Sequence, residues 1–188
     1  MTPVEFKNAW EKTEGKTSPI PSSQLVGLGL NDATRAFLTE SGFPEEAAPL
    51  LTFVQASGDL NERIGRIEER WGLGADAAKY IRIGSNGCGN LIVVNTAQLD
   101  RVECLDHENQ FESTFMNTSV QTLAAFILHY TQFIDQIRLE NGPDAFLDSN
   151  FSEAQVNALR MNMVLTDKLA TEIGFWSEEL NNLAAESC

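Results

Sequence analysis

A change in hydrophobic period near Thr118 constrains the fold more than any other feature of this sequence. Before it, residues 79–117 hold four short segments rich in β-branched or aromatic residues and bounded by turn residues: KYIRIGS, NLIVVNT, QLDRVECLD and FESTFMN. Segments of this kind predict sequential antiparallel strands. After it, apolar residues recur with the 3.6-residue period of an amphipathic helix, for which Thr118 or Ser119 is a natural N-cap. A small sheet must therefore pack against a long helix.

Further helices are predicted on both sides of these strands. Cap residues and apolar spacing indicate them at residues 3–13, 31–41, 152–171 and 175–186. A strand is possible near 50–54, whereas 59–72 fits either a surface helix or a long loop. Strands in the middle of the chain with helices on both sides are typical of α+β folds. We predict a central antiparallel or mixed sheet of about 4–6 strands packed against helices, with a helical C-terminal region.

The charge balance excludes several classes of partner. The 188 residues include 13 Lys and Arg against 27 Asp and Glu, which gives a net charge of −14. A nucleic-acid-binding surface needs basic residues to replace counterions, and anionic lipid would repel this chain. A basic protein partner is permitted. The N-terminus lacks the basic start and apolar core of a signal peptide, so we expect a cytoplasmic protein.

Two motifs resemble functional sites, a phosphate-binding loop and a metal site, but each has a simpler interpretation. The segment IGSNGCGN at residues 83–90 contains no Lys and precedes a strand, so it predicts a hairpin turn rather than a phosphate loop. Cys104 and His107 have the C-x2-H spacing of metal ligands, with Cys88 as a possible third. The remaining histidine, His129, lies on the predicted long helix among apolar residues. We therefore expect no metal and no cofactor.

The cysteines leave one enzymatic alternative open. Cys88, Cys104 and Cys188 are odd in number and widely spaced, which favours reduced thiols, with Cys88 and Cys104 in or near the core. Cys104 and His107 would also suit a nucleophile pair, but a catalytic thiol needs a lowered pKa. The acidic neighbours of Cys104 would raise it. A thiol enzyme is therefore the less favoured interpretation.

Acidic residues are concentrated in residues 103–153, where Arg138 is the only base. Such a surface can steer and dock a basic partner, although a plain solvated surface explains it equally well. We take four acidic residues as candidate contacts and one tryptophan as a candidate aromatic anchor, although a core position for the tryptophan is the more common outcome. These residues are Glu103, Asp106, Glu108, Glu112 and Trp71.

Several motifs resemble those of the SUKH superfamily, and within it the SUKH-4 branch. They begin with a short helix running into GFP at 36–44 and a Y-I-x-I-G strand at 80–84. An I-V-V-N-T strand at 92–96 and a V-x-x-L strand at 101–105 follow, and F-M-N-T-S-V leads into the long helix at 115–127. The tract at 143–147 and Phe175–Trp176 are similar to the C-terminal part of that branch. Asn95 stands where many members have Asp.

The resemblance implies a single α+β domain over residues 1–188, with a core at about 25–140 and a C-terminal helical part at 141–188. It also implies an immunity protein that binds and neutralises a cognate bacterial toxin domain, often a nuclease or deaminase. The family offers no catalytic motif to transfer, so we expect no enzyme. A regulatory scaffold that recruits cellular partners is the alternative within the same superfamily. The sequence leaves the oligomeric state open.

Overall fold

A computed structural model describes residues 1–13, 15–57 and 63–187 of the chain. The expectations for residues 59–62 and for Cys188 therefore lie outside the described residues. The seven α-helices of the described part are α1 (Pro3–Thr13), α2 (Asp32–Glu40), α3 (Ile67–Trp71), α4 (Val120–Asn141), α5 (Glu153–Thr166), α6 (Lys168–Glu172) and α7 (Phe175–Glu186). Within the same residues, no helix is both long and apolar enough to cross a membrane.

All pairings in the sheet are antiparallel, and its strands lie in the order β1-β2-β4-β5-β6-β7. The third strand, β3, pairs with β4 at Ile81–Arg82, whereas β2 pairs with β4 at Gly84–Asn86. The strands β2 and β3 therefore share one edge of β4. The strands are β1 (Glu46–Ala47), β2 (Leu51–Phe53), β3 (Gly65–Arg66), β4 (Tyr80–Asn86), β5 (Leu91–Asn95), β6 (Arg101–Asp106) and β7 (Glu112–Asn117).

One face of the sheet carries the main core. Ile81, Ile92 and Val102 on this face are fully buried in the same apolar cluster as the inward residues of α4. The helix α4 is apolar around most of its circumference because α1, α2 and α5 pack against it while its inner side meets the sheet. Each buried Leu, Ile or Phe of this kind contributes about 1.5–3 kcal/mol through removal of apolar surface from water.

The other face of the sheet carries a smaller apolar cluster. Leu91, Val93 and Leu105 project from β5 and β6 and pack with Ile67 of α3. Phe111, from the turn between β6 and β7, is half-buried against the same cluster. Because β5 is buried on both sides, its side chains are apolar at four consecutive positions and the usual in-out alternation is absent.

The joint between β7 and α4 holds the C-terminal helices in place. Ser119 caps α4 by accepting a hydrogen bond from the Thr122 amide. The buried Asp167 carboxylate accepts hydrogen bonds from the Thr118 amide at 2.8 Å and from its hydroxyl at 2.9 Å. The Asn117 amide oxygen accepts a hydrogen bond of 2.8 Å from the indole nitrogen of Trp176. The Asn–Thr–Ser step is therefore a structural connector.

The α+β prediction is confirmed. The helices at 3–13, 31–41 and 175–186 and three of the four strands at 79–117 are found within a residue or two of their expected bounds, whereas β6 begins at Arg101, three residues after its predicted start. The sheet has seven strands rather than about 4–6 because β1 and β3, with two residues each, are too short to give a pattern. The single helix predicted at 152–171 is wrong. It is interrupted at Asp167, whose extended backbone (φ −153°, ψ 85°) directs its carboxylate to Thr118.

Loss of the Asp167 carboxylate is expected to destabilise the fold. Asp167→Ala leaves the Thr118 amide and hydroxyl without the buried carboxylate that accepts their hydrogen bonds, so we predict a loss of about 2–3 kcal/mol in the free energy of unfolding. Asp148→Ala, at an exposed position, is the matched control and is expected to stay within about 0.5 kcal/mol of the parent. Urea unfolding measures both. Equal stabilities of the two variants would show that the joint contributes nothing.

Candidate protein-binding surface at one end of the sheet

Three turns lie side by side at one end of the sheet. They are the β1–β2 turn at 48–50, the β4–β5 turn at 87–90 and the β6–β7 turn at 107–111. The backbone Cα of Gly87 faces Leu50 so closely that a Cβ there would lie 3.0 Å from the Leu50 Cβ. The Asn90 carboxamide oxygen lies 2.9 Å from Nδ1 of His107. We call this surface, residues 48–50, 86–90 and 106–112, the hairpin end.

The acidic residues of the hairpin end lie close together on β6, β7 and the turn between them. Asp106 and Glu112 are directly opposite each other in the β6–β7 register, and Glu108 is exposed in the turn between them. Within residues 1–13, 15–57 and 63–187, no Lys or Arg forms an ion pair with any of the three. Like charges directly opposite on neighbouring strands are destabilising by roughly 0.2–1 kcal/mol. The hairpin end is therefore strongly electronegative.

Local contacts fix the backbone conformation of the β6–β7 turn. Gln110 and Phe111 both adopt left-handed conformations, with φ of 52° and 59°. Left-handed backbone is uncommon for residues other than Gly, and it persists where surrounding contacts hold it. Here the Phe111 amide donates a 2.8 Å hydrogen bond to the Asp106 carbonyl, and the Phe111 ring packs on the small cluster. The acidic side chains therefore extend from a turn whose backbone conformation is fixed by these contacts.

Glu103, predicted to lie with the other acidic residues, is not part of this surface. Its side chain is fully buried within the sheet, on the face opposite the main core. The carboxylate accepts hydrogen bonds from Nδ2 of Asn95 at 2.8 Å and from Oγ of Ser113 at 2.5 Å, and it also pairs with Nε of Arg101. A carboxylate so enclosed is a structural element, and the expectation of an exposed contact is wrong.

The surroundings of Glu103 decide its ionisation. Burial alone disfavours the charged form and is the largest single effect on its pKa. The hydrogen bonds from Ser113, Asn95 and Arg101, with the charge of Arg101, together outweigh burial and hold the pKa below the ordinary value. The Asn95 side chain can donate a hydrogen bond here, whereas an ionised Asp at this position would repel Glu103. The residue therefore stays charged and paired.

The structure places Trp71 at the end of α3, where its side chain is 40% exposed rather than enclosed in the core. Leu73, two residues after Trp71, packs against the same small cluster as Phe111. The end of α3 and the β6–β7 turn therefore both contact this cluster. Sequence reasoning missed Leu50, which is 80% exposed at the hairpin end. The sequence signal for it was weak, because a leucine next to Thr52 and Phe53 fits the start of a strand.

The cysteine chemistry does not support a reactive thiol. Cys104 is buried, and burial, with Asp106 and Cys88 nearby, raises the pKa of its thiol to about 11. Cys88 is exposed in the β4–β5 turn, so its predicted place in or near the core is wrong. No group of three or more His, Cys, Asp or Glu suited to a metal ion occurs among the residues that the structure describes.

The paired Glu103 predicts a specific dependence of stability on pH. Because its folded pKa is lowered, its contribution is complete above the ordinary glutamate value of 4.5 and is lost as pH falls through the lower folded value. Glu103→Gln should therefore lower the free energy of unfolding by about 2 kcal/mol at neutral pH. The difference from the parent should become smaller once the pH falls below the folded pKa of Glu103. Urea unfolding across this pH range measures it. A constant difference at all pH values would contradict the assignment.

Thiol labelling tests the enzymatic alternative directly. In a chain carrying Cys88→Ser and Cys188→Ser, Cys104 is the one remaining thiol. We expect it to react at least about 100-fold more slowly in the folded protein than in denaturant, because only the thiolate is nucleophilic and the folded thiol is both buried and protonated. Faster labelling in the folded state would restore a thiol enzyme as an interpretation.

Comparison with known proteins agrees with the resemblance carried by the sequence motifs. A protein-family model described as SUKH-4 immunity protein matches residues 10–182. No curated protein and no solved structure matches the chain. The matched range includes all seven strands and ends inside α7, so it covers both the sheet and the C-terminal helices described above. The chain therefore belongs to the SUKH-4 immunity protein family.

Proposed function

We propose that this chain neutralises a basic bacterial toxin domain by binding it at the hairpin end, without catalysing a reaction. Family membership supports the immunity role and suggests a non-enzymatic one. The observation that carries the assignment of the surface is the acidic group Asp106, Glu108 and Glu112 around the β6–β7 turn, with which no Lys or Arg of the described residues forms an ion pair. Charges placed opposite each other at a cost to the fold are explained if a partner supplies the missing positive charge.

The negative charge of the hairpin end favours one class of toxin, which acts on nucleic acid. A nuclease, or a deaminase acting on nucleic acid, binds phosphates through Lys and Arg, and carboxylates pair with the same groups. An acidic surface can therefore compete with the nucleic acid for the toxin's binding site. Such a surface also raises the rate of encounter, because opposite charges steer the partners together. A cytoplasmic inhibitor of this kind would act before the toxin reached its substrate.

The hairpin end also offers an apolar contact beside its charges. Leu50 is 80% exposed and lies between the acidic turn and β1, where Glu46 adds another exposed carboxylate. Interfaces owe most of their affinity to a few desolvated side chains near the centre, with polar residues around them. We assign Leu50 this central position and the carboxylates the rim. Trp71, exposed at the end of α3, remains a second candidate anchor.

The regulatory scaffold is the alternative binding function. The scaffold and the immunity protein are distinguished by the partner that each would bind in cells. Tagged protein should be captured from its native cells at low salt, and the co-purifying proteins should be identified by mass spectrometry. Stoichiometric recovery of one basic toxin-like domain, whose activity is lost on adding the chain, is the expected result. Recovery of several regulatory proteins and no toxin would favour the scaffold.

Charge reversal at the hairpin end tests the surface. The variant D106K/E108K/E112K should leave the fold intact and slow association with the captured toxin domain by about tenfold or more at low salt, with a smaller effect on dissociation. Surface plasmon resonance measures both rates.

The matched control, E40K/D144K/D148K, changes the net charge by the same amount at exposed positions elsewhere. It should slow association only slightly. Equal effects of the two variants would mean that net charge alone, rather than the hairpin end, governs binding.

A further inference from the structure

The imidazole ring of His107 is exposed at the hairpin end and is held in one orientation there. Its Nδ1 atom lies 2.9 Å from the carboxamide oxygen of Asn90, and the His107 backbone amide donates a 3.2 Å hydrogen bond to the same oxygen. The ring also lies against Gly89, where a Cβ would come within 3.3 Å of Cε1. Gly89 has a φ of 84°, which favours glycine, so the turn backbone can approach the ring closely.

The β4–β5 turn that supports this ring is closed by its own hydrogen bonds. The Asn86 carboxamide oxygen accepts hydrogen bonds from the backbone amides of Cys88 at 3.1 Å and of Asn90 at 2.9 Å. The Asn86 amide donates a further hydrogen bond of 2.9 Å to the Asn90 carbonyl. The Asn90 side chain therefore extends toward His107 from a turn that is fixed on both sides.

These contacts determine which nitrogen of the His107 ring carries the proton. A backbone amide only donates, so the Asn90 atom that it meets must be the carboxamide oxygen, which only accepts. Because Nδ1 lies against that same oxygen, Nδ1 must carry a hydrogen. In a neutral imidazole the other nitrogen is then an acceptor. Within the described residues, no donor forms a hydrogen bond with Nε2 of His107.

The neighbours of this acceptor indicate which chemical group fits it. Asp106 and Glu108 flank His107 in the chain, and Glu112 lies opposite Asp106 on β7. Carboxylates and a neutral imidazole nitrogen all accept hydrogen bonds, so a cation with several N–H donors can satisfy them together. The guanidinium of arginine has five N–H donors in one plane, and they can reach two acceptors at once.

We propose that Nε2 of His107 accepts a hydrogen bond from an arginine of the toxin, whose guanidinium also pairs with a carboxylate of the hairpin end. The inference rests on the proposed function and names one contact within it. The carboxylates attract any basic protein, whereas a single directed acceptor is satisfied only by a donor in the right place. His107 therefore contributes to specificity, and its loss should act mainly on the dissociation rate.

Nitrogen NMR of the isotope-labelled free chain tests the tautomer without the toxin. The chain has only two histidines, and the His129→Asn variant leaves the signals of His107 alone. At about pH 8.5, above the range in which histidine side chains usually take up a proton, we expect the proton on Nδ1 of His107. A proton on Nε2 instead, or on both nitrogens, would overturn the proposal.

Two substitutions separate the acceptor from the rest of the ring. His107→Gln can place an amide oxygen near the position of Nε2, whereas His107→Asn can keep a donor toward Asn90 but has no acceptor at that position. We expect His107→Asn to raise the dissociation constant for the captured toxin domain by about tenfold, mainly through faster dissociation, and His107→Gln by less than about threefold. Surface plasmon resonance measures both rates, and circular dichroism checks that the variants remain folded.

The matched control is His129→Asn, on α4, where the half-buried ring lies 3.3 Å from the Thr166 hydroxyl. It should leave toxin binding unchanged. Equal affinities of the parent and His107→Asn, or equal losses in His107→Asn and His107→Gln, would overturn the proposal. If the His107 variants bind normally while D106K/E108K/E112K still slows association, only the histidine contact fails. If the triple variant also binds normally, the hairpin-end assignment itself fails.

Discussion

The hydrogen bond between the buried carboxylate of Asp167 and the Thr118 backbone connects the sheet with the C-terminal helices. The same step in the chain ends β7, begins α4 and, through Asn117 and Trp176, holds α7. An unpaired buried carboxylate or amide would be costly, so the two sides stabilise the fold only when they meet. β7 is thereby covered at its outer edge by the α6–α7 region, where the Gly174 Cα faces the Phe115 carbonyl too closely for any Cβ.

Sheet geometry divides the acidic residues of β6 and its turn into two groups with different roles. Glu103 lies in the middle of the strand between β5 and β7, where polar neighbours and Arg101 enclose it. Asp106 lies three residues later, at the end of the strand, where neighbouring side chains leave it partly open to water. One carboxylate stabilises the sheet and the other contributes to an electronegative surface, although both belong to the same run of acidic residues.

The sequence predicted the strands and long helix well because their periods are strong and their cap residues explicit. It predicted the α5–α6 boundary poorly, since apolar spacing continues through Asp167 and only the distant Thr118 explains the break. The burial of Glu103 was equally hidden, because β6 is covered on both faces and alternation there carries no information. The exposure of Leu50 and Leu165 was missed for a related reason: the exposure of an apolar residue depends on what the rest of the chain leaves uncovered.

We propose that the electronegative hairpin end of this acidic protein is the surface that binds a basic toxin. Hydrogen–deuterium exchange of the chain with and without its captured toxin domain tests this assignment most directly. Slower exchange in residues 86–90 and 106–112, with the α5–α6 region unchanged by the toxin, is the predicted result. Protection confined to residues 160–173, with the hairpin end unaffected, would contradict the assignment of the toxin-binding surface.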